Sequence, residues 1–291
     1  MRTRLSCLIV LCVLVLPALV RAQGVTTAPI DEMLGRSGQK TGDVYKVSFP
    51  RSDLHVSVHG LAIKPGLALG SWAAFLGTDD NAMVMGDLVL LESELNPVIA
   101  KLRSAGFDIS AVHNHLMEES PRVLYAHYMG HGPATQLAAS LRATLALSKT
   151  PLEKPAAAAE EAAPAWVKAV EDAVGRKGTF KGGVLSYGVA RSDAITVGGM
   201  TIPPAAGVAE AINFQAADSG NVATTGDFVL IAEEVNPVIS ELQEHQISVT
   251  ALHSHMLTEQ PRLFFMHFWS VGSPEAVGGG IKAALSRVAV K

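Results

Sequence analysis

A repeat with a constant spacing organises this chain. Residues 86–132 align with residues 226–272 without a gap, and 18 of the 47 aligned positions are identical. The same offset of 140 recovers the Gly-Arg-x-Gly turn of residues 35–38 at residues 175–178. Self-similarity at a fixed offset is typical of a duplicated structural unit. The sequence therefore predicts a tandem duplication of one domain.

Each half has the pattern of an α+β domain with a largely antiparallel sheet and flanking helices. Apolar runs bounded by Gly, Pro and Asp predict strands, and Asn96-Pro97 predicts the start of a helix that ends at Gly106. A histidine-rich hairpin and a last amphipathic helix follow. We expect helices at 30–34, 135–147 and 166–174, and first-half strands at 44–49, 54–63, 72–76 and 82–91.

The N-terminal segment resembles an export signal. Arg2 and Arg4 precede an apolar run that ends at Val20-Arg21-Ala22, which predicts a signal peptide cleaved after Ala22. The run is shorter than the roughly 20 residues that a spanning helix needs, and no second run follows. We expect an exported, periplasmic or secreted protein without a transmembrane segment after signal removal. The predicted parts are a signal peptide at 1–22, a first repeat domain at 24–147, an Ala/Pro-rich linker at 148–165 and a second repeat domain at 166–291.

Composition restricts both the partners and the metal ligands. Removal of the three arginines of residues 1–22 leaves 20 Lys and Arg against 27 Asp and Glu, a net charge of −7. This balance argues against nucleic acid as a partner. Both cysteines, Cys7 and Cys12, lie in the predicted signal peptide. Metal ligands in the mature chain must therefore be His, Asp or Glu.

Three histidines recur in each half. Side chains alternate along a strand, so His113 and His115 share a face. If His127 pairs with either of them in an antiparallel ladder, the paired residue numbers have an even sum, 240 or 242. The ring of His127 then lies on the same face as the other two. Opposite Cβ atoms lie about 4.5–5.5 Å apart, so three imidazoles can converge on one ion. We predict a His₃ metal site in each half: His113, His115 and His127 in the first, and His253, His255 and His267 in the second.

A divalent metal is the interpretation that these histidines favour. Zinc is the default, because imidazole suits it and a catalytic zinc site has three protein ligands and an open water position. Copper, nickel or iron would fit the same ligands. The alternative is that each histidine is a hydrogen-bonded core or edge residue. Four further histidines have no counterpart at the offset of 140 and are interpreted as structural or surface residues: His55, His59, His131 and His245.

A Glu and an Arg follow each histidine pair. Glu119 and Glu259 could act as a fourth ligand, as a general base on metal-bound water, or as a partner that orients an imidazole. The alternative is a loop carboxylate paired with the nearby Arg. Arg122 and Arg262 could clamp a carboxylate or phosphate of a small anionic ligand through the planar guanidinium, or serve as structural salt-bridge donors.

A Gly-Asp pair lies in an apolar strand of each half, at residues 86–87 and 226–227. Gly inside a strand often marks a bulge or a close backbone approach, and a buried Asp needs a partner. The Asp is interpreted either as an orienting partner of a ligating His or as a turn cap.

Two resemblances are carried by these motifs. His-x-His-x₃-Glu, present twice, is similar to the first motif of the cupins, whose duplicated members bind one metal per barrel; here the similarity concerns ligand geometry and not the fold. Several motifs occur in order along the chain: Trp72-Ala-Ala-Phe75, the run 83–90, Glu94-Leu-Asn-Pro-Val98, His113-Asn-His-Leu116 and the run 127–132. Together they resemble the LppY/LpqO family of exported bacterial proteins, a domain of unknown function present in two copies. That resemblance implies an envelope location and no established activity.

Two functions from different classes are compatible with this sequence. One is metal-dependent hydrolysis, with Glu119 or Glu259 as the base and Arg122 or Arg262 on an anionic group. The other is an envelope protein that binds a metal or a solute, or has a structural role, without turnover.

Overall fold

The structure, a computed structural model, describes residues 24–153 and 161–291. The predicted signal peptide at 1–22 and residues 154–160 of the predicted linker lie outside these residues. The first half contains α1 (Thr27–Leu34), β1 (Gln39–Thr41), β2 (Val44–Pro50), β3 (Ser57–Val58), β4 (Leu61–Ala62), α2 (Pro65–Ala68), β5 (Gly70–Gly77), β6 (Ala82–Leu91), α3 (Glu92–Ser104), β7 (Asp108–His113), β8 (Glu119–Ser120), β9 (Val123–Gly132) and α4 (Ala134–Leu145).

The second half repeats this order, except that no strand of its described residues corresponds to β8 and a short 3-10 turn, Pro204–Ala206, takes the place of α2; a second 3-10 turn is Asp218–Gly220. Its elements are α5 (Ala165–Val174), β10 (Thr179–Lys181), β11 (Val184–Ala190), β12 (Ile195–Val197), β13 (Met200–Ile202), β14 (Ala209–Ala216), β15 (Val222–Leu230), α6 (Ala232–Glu244), β16 (Ser248–His253), β17 (Phe264–Gly272) and α7 (Pro274–Leu285).

Both halves contain the same six-stranded sheet. The strand order is β1-β2-β5-β6-β9-β7 in the first half and β10-β11-β14-β15-β17-β16 in the second. Each neighbouring pair in these sheets is antiparallel. Equivalent strands occupy equivalent positions, so the predicted α+β fold with a duplicated domain is confirmed.

The two sheets pack face to face, and helices cover their outer faces. Strand β6 illustrates the arrangement, because Val84 and Leu88 pack with the helices of their own half, whereas Met83 and Met85 pack with residues of the second half such as Phe265. Both faces of β6 are buried, which explains why its sequence is almost continuously apolar. The protein therefore has four layers: helices, sheet, sheet and helices.

Two first-half elements differ from their predictions. The helix expected to begin at Asn96 begins at Glu92, because Glu94 Oε2 accepts the Leu91 N–H at 2.9 Å and caps the helix from its third residue. Asn96 is therefore a helical residue rather than a cap. The strand expected at 54–63 is two short strands, β3 and β4, because φ is positive at both His59 (48°) and Gly60 (85°). Two successive positive φ angles form the tight turn of a hairpin.

One strand departs from the offset of 140. Trp72 pairs with Asp87 in the first sheet, and Ala211 pairs with Asp227 in the second. The structural counterpart of Trp72 is therefore Ala211, whereas a constant offset would give Ile212. The loop before β14 is one residue shorter than its first-half equivalent and the turn after it is one residue longer, so the shift stays within this strand.

Gly86 lies where two strands approach closely, as the sequence suggested. A Cβ at this position would lie 2.1 Å from the carbonyl oxygen of Trp72, and one at Gly226 would lie 1.9 Å from that of Ala211. Overpacking of this kind costs about 1–3 kcal/mol. We expect Gly86→Ala to lower the free energy of unfolding by about that amount in urea denaturation. Gly188→Ala in β11, where a Cβ meets no atom within 4 Å, should change it little, and equal losses in the two variants would contradict this explanation.

Candidate metal centre

The three histidines of each half lie on one face of its sheet. In the first half Ala111 pairs with His127 and His113 pairs with Tyr125. The constant sum of residue numbers is thus 238, where the sequence suggested 240 or 242. The sum is still even, so the predicted shared face is retained. His115 lies just beyond the end of β7, in the loop that leads to β8.

The two triplets meet between the sheets. Because both sheets turn their histidine-bearing faces inward, each ring packs against a ring of the other half. Ring centroids are 3.6 Å apart for His113 and His253, 3.6 Å for His115 and His267, and 3.9 Å for His127 and His255. The sequence predicted a separate His₃ site in each half, and the structure brings the two triplets together, so that all six rings form one histidine cluster.

A β-bulge in each edge strand ties it to the histidine loop of the other half. The register of β7 shifts at Ser110 and that of β16 at Thr250. Ser110 Oγ donates to the carbonyl oxygen of His255 at 2.7 Å, and Thr250 Oγ1 donates to that of His115 at 2.6 Å. A bulge re-aims a side chain and commonly lies next to a functional site. Here the two bulges fix the loops that carry the second histidine of each triplet.

In the second half, hydrogen bonds determine which imidazole nitrogens carry protons. His267 Nδ1 lies 3.0 Å from the carbonyl oxygen of Gly226, and His253 Nδ1 lies 2.9 Å from that of Ser254. A carbonyl oxygen only accepts, so Nδ1 is the donor in each neutral ring and Nε2 has the lone pair. The two Nε2 atoms are 3.0 Å apart. When both rings are neutral, two lone pairs face each other at that distance.

The first half repeats this contact, and nitrogens of both halves lack hydrogen-bond partners. His113 Nε2 and His127 Nε2 are 2.9 Å apart. Within residues 24–153 and 161–291, five buried nitrogens of the cluster have no hydrogen-bond partner: His113 Nδ1, His115 Nε2, His127 Nδ1, His255 Nδ1 and His255 Nε2. A buried polar atom without a partner costs about 1–3 kcal/mol, which a bound cation would offset.

Burial favours the neutral form of five rings of the cluster. It lowers the pKa of His113 to about 2, that of His255 to about 3 and that of His253 to about 4. Burial also lowers the pKa of His115 and of His127 well below the ordinary value. Neutral imidazole is the form that binds metal ions.

The aspartates of the two Gly-Asp pairs lie beside the cluster. Asp227 Oδ1 is 3.0 Å from His267 Nδ1, whereas the oxygens of Asp87 are 3.7 Å from His115 Nε2 and His127 Nδ1. Burial raises the pKa of Asp87 well above its usual range, and the charge of Asp227 adds to this. Burial also pushes the pKa of Asp227 upward, but the attraction and hydrogen bond of His267 outweigh it, so that pKa is lowered. For Asp227 the structure therefore supports an orienting partner over a turn cap, whereas Asp87 Oδ1 has no hydrogen-bond partner among the described residues.

Four groups of three side chains could hold a metal ion. Two groups combine both halves, and the other two pair two histidines with the Asp of their own half. The ligand atoms within each group lie within 4.8 Å of one another. The groups are His113, His115 and His267; His113, His127 and His253; Asp87, His115 and His127; and Asp227, His253 and His267.

The two predicted glutamates hold the loops of the cluster. Glu119 Oε1 accepts from Asn114 Nδ2 at 3.0 Å, and Glu259 Oε1 accepts from the Leu263 N–H at 3.0 Å. Neither Glu belongs to the ligand groups found in the described part of the chain. Their roles as base or ligand stay predictions.

The two predicted arginines also bond within these loops. Arg122 donates to Asn114 Oδ1 at 3.4 Å, and Arg262 donates to the carbonyl oxygen of Leu257 at 3.2 Å and to Glu259 Oε2 at 3.3 Å. Their role as anion clamps stays a prediction.

Sequence reasoning missed Lys46 and Trp72, which line a cleft that reaches the cluster. The cleft has a volume of about 620 Å³, and Asp87, His115 and Asp227 also line it. One signal for Lys46 is present in the sequence, since it is a cation in the apolar strand β2 at a position that alternation assigns to the inner face.

None of the helices in the described residues has the length and apolar character that crossing a membrane requires.

Comparisons with known proteins identify the family of the chain. No curated protein matches the chain. One solved structure, the trimeric bacterial microcompartment shell protein PduB, has 11% sequence identity, a TM-score of 0.20 and coverage of 87% of this chain and 89% of that chain; a similarity at this level supports no conclusion. Residues 28–147 and 168–287 each match the family described as Domain of Unknown Function (DUF1259), so the chain belongs to this family and contains two copies of its domain.

Proposed function

We propose that this protein binds a divalent metal ion, zinc by default, at one centre to which both halves contribute. The ligands come from the histidine cluster, with Asp87 and Asp227 as ligands or as partners that orient the rings. Copper, nickel and iron fit the same donors. In the mature chain no thiolate competes with imidazole, because both cysteines lie in residues 1–22.

The facing Nε2 atoms of His253 and His267 carry this proposal. Their separation is 3.0 Å, and the neutral form of each ring has its proton on Nδ1. With Zn–N distances of about 2.0–2.1 Å in a tetrahedral site, two ligating nitrogens lie about 3.3 Å apart. The rings are therefore spaced nearly as two ligands of one ion are. The bonds from Nδ1 to Gly226 and Ser254 match the outer contacts by which metal-binding histidines are oriented.

Hydrolysis is the reaction class that the cleft favours. A divalent ion held by imidazoles acts as a Lewis acid and makes water nucleophilic near neutral pH. The cleft opens onto Asp87, His115 and Asp227, so a substrate would have access to the ion. A metal-binding protein without turnover is the alternative, and a closed centre would suit it better.

We also propose export, on the strength of the Arg-flanked apolar segment at 1–22 and the resemblance to the LppY/LpqO family.

Metal uptake by the mature protein tests the proposal. We expect chelator-treated protein to bind zinc in a calorimetric titration, and elemental analysis after removal of free metal to find zinc retained. His267→Ala removes a fully buried ring of the cluster and should abolish retention. His55→Ala, an exposed histidine outside the cluster, is the matched control and should retain zinc like the wild type.

Circular dichroism is the control that the variants are folded. Failure of folded wild-type protein to take up zinc, copper, nickel or iron would overturn the metal centre. Equal retention by His267→Ala and wild type would do the same.

A further inference from the structure

The cleft that reaches the histidine cluster is built unequally by the two halves. The counterpart of Lys46 at the offset of 140 is Ser186, and the counterpart of Trp72 by strand register is Ala211. All four residues line the cleft. A cation and a large aromatic ring from the first half thus face two small residues of the second. The space exists because Ser186 and Ala211 leave it open.

Trp72 covers His255, which is the second-half counterpart of the cleft residue His115. Its ring stacks on His255 with centroids 6.1 Å apart and an interplanar angle of 11°. It also packs so tightly against the turn after Pro204–Ala206 that a Cβ on Gly207 would lie 2.6 Å from the ring. His255 is therefore covered by Trp72. His115, the counterpart of His255, lines the cleft together with Ala211, the small residue that stands in place of Trp72.

Lys46 is the cation in this cleft. Its Nζ lies 3.9 Å from the centroid of the Trp72 ring, a cation–π contact that orients the side chain. Within the part of the chain that the structure describes, Lys46 forms no ion pair with a carboxylate. Burial lowers the pKa of Lys46 to about 8, although Asp87 and Asp227 act in the opposite direction. An ammonium group without a paired carboxylate in a cleft is suited to bind an anion.

The charge of the cleft depends on the metal ion. A divalent ion beside Asp87 and Asp227 would add two positive charges to a cleft that Lys46 also lines, and so would favour an anion there. The volume of about 620 Å³ lies within the range of pockets for small molecules, about 300–1,000 Å³.

We propose that the cleft binds a small molecule with a carboxylate or phosphate group, that Lys46 is the counter-cation of this group, and that the molecule extends toward His115 and the ion. This inference rests on the proposed metal centre and adds the substrate class.

Titration of anions into zinc-loaded protein tests the inference. Free zinc is removed, and inorganic phosphate and succinate are titrated separately by calorimetry into the wild type and its variants. The two probes distinguish a phosphate ligand from a carboxylate ligand. We expect Lys46→Met to weaken binding of the preferred anion by about 10-fold or more, since a charged hydrogen bond is lost, and Lys46→Arg to retain most of it. Lys101→Met, at an exposed position of α3, is the matched control and should bind like the wild type.

A second variant tests the cleft without changing its charge. Ala211→Trp places at this position the side chain that its counterpart Trp72 has in the first half. The larger ring should fill the cleft and abolish anion binding, while zinc content stays at the wild-type level. Zinc content is measured in each sample, so failure of the metal centre is seen separately from failure of the anion site. Anion binding that is absent from the wild type, or that is as strong in Lys46→Met and Ala211→Trp as in the wild type, overturns the inference whether or not zinc is taken up.

Discussion

His113→Ala and His253→Ala should each weaken zinc binding by about 100-fold or more, although the two residues belong to different halves. Loss of a residue that only orients a ligand costs 10–100-fold in metal affinity, and loss of a ligand should cost at least as much. The two rings lie 3.6 Å apart, and His113 belongs to two ligand groups that include a residue of the second half. A change in either half therefore affects the common centre. Calorimetric titration of both variants measures the effect.

Independent sites would give a different result. If each half held its own ion, either substitution would remove one equivalent of zinc and leave the remaining equivalent with wild-type affinity. The double variant His113→Ala/His253→Ala separates the cases further. In a shared centre its effect falls short of the sum of the single effects, because residues that act as a unit are not additive. Retention of one full-affinity equivalent in either single variant would contradict a shared centre.

Glu94→Ala should lower the free energy of unfolding by about 3 kcal/mol, because it removes one of the two carboxylates, Glu94 and Asp53, that pair with a buried Arg and leaves two backbone N–H groups without their acceptor. Arg51 is fully buried and donates to both carboxylate oxygens of Glu94, at 2.8 and 3.3 Å. The same carboxylate accepts the backbone N–H groups of Leu91 and Lys149, each at 2.9 Å. It therefore joins the end of the first half to β6 and the start of α3. Urea denaturation followed by circular dichroism measures the loss.

Two comparisons make this prediction specific. Glu92→Ala, an exposed residue of the same helix, should change stability by no more than about 0.5 kcal/mol. Glu234→Ala should behave like Glu94→Ala, because Glu234 accepts from Arg191 at 2.7 and 3.1 Å and from the Ala289 N–H at 2.9 Å. A loss below about 1 kcal/mol in Glu94→Ala would place this ion pair with exposed surface pairs and contradict the explanation.

The effect of Glu94 should also depend on pH. Burial raises the pKa of this carboxyl, but the hydrogen bonds from Arg51, Lys149 and Leu91 outweigh it, and the pKa lies below its ordinary value of 4.5. A carboxyl whose pKa is lowered by folding stabilises the folded state above the ordinary pKa, and this stabilisation is lost as pH falls through the lowered pKa. The difference between wild type and Glu94→Ala should therefore shrink in acid and be constant near neutral pH.

Local patterns were sufficient to predict the unit that is repeated. The alignment at an offset of 140 predicted one fold used twice, and the parity of a strand ladder predicted that His113, His115 and His127 share a face. Side-chain alternation is a property of the pleated strand, so the predicted shared face is correct although the register differs from the one expected. For Gly86 the sequence indicated either a bulge or a close backbone approach, and the structure shows the close approach, with the carbonyl oxygen of Trp72 2.1 Å from where a Cβ would lie.

Only the tertiary structure showed that the two histidine triplets lie together in one cluster. The face on which His113 and His253 lie follows from strand alternation, but whether those faces turn to solvent or toward each other depends on how two sheets pack. The same packing placed Lys46 and Trp72 beside the cluster and opened the cleft opposite Ala211, through a one-residue shift in β14 that the constant offset did not reveal. The physical reason is that strand geometry acts over a few residues, whereas packing of the sheets depends on apolar surface spread over both halves of the chain.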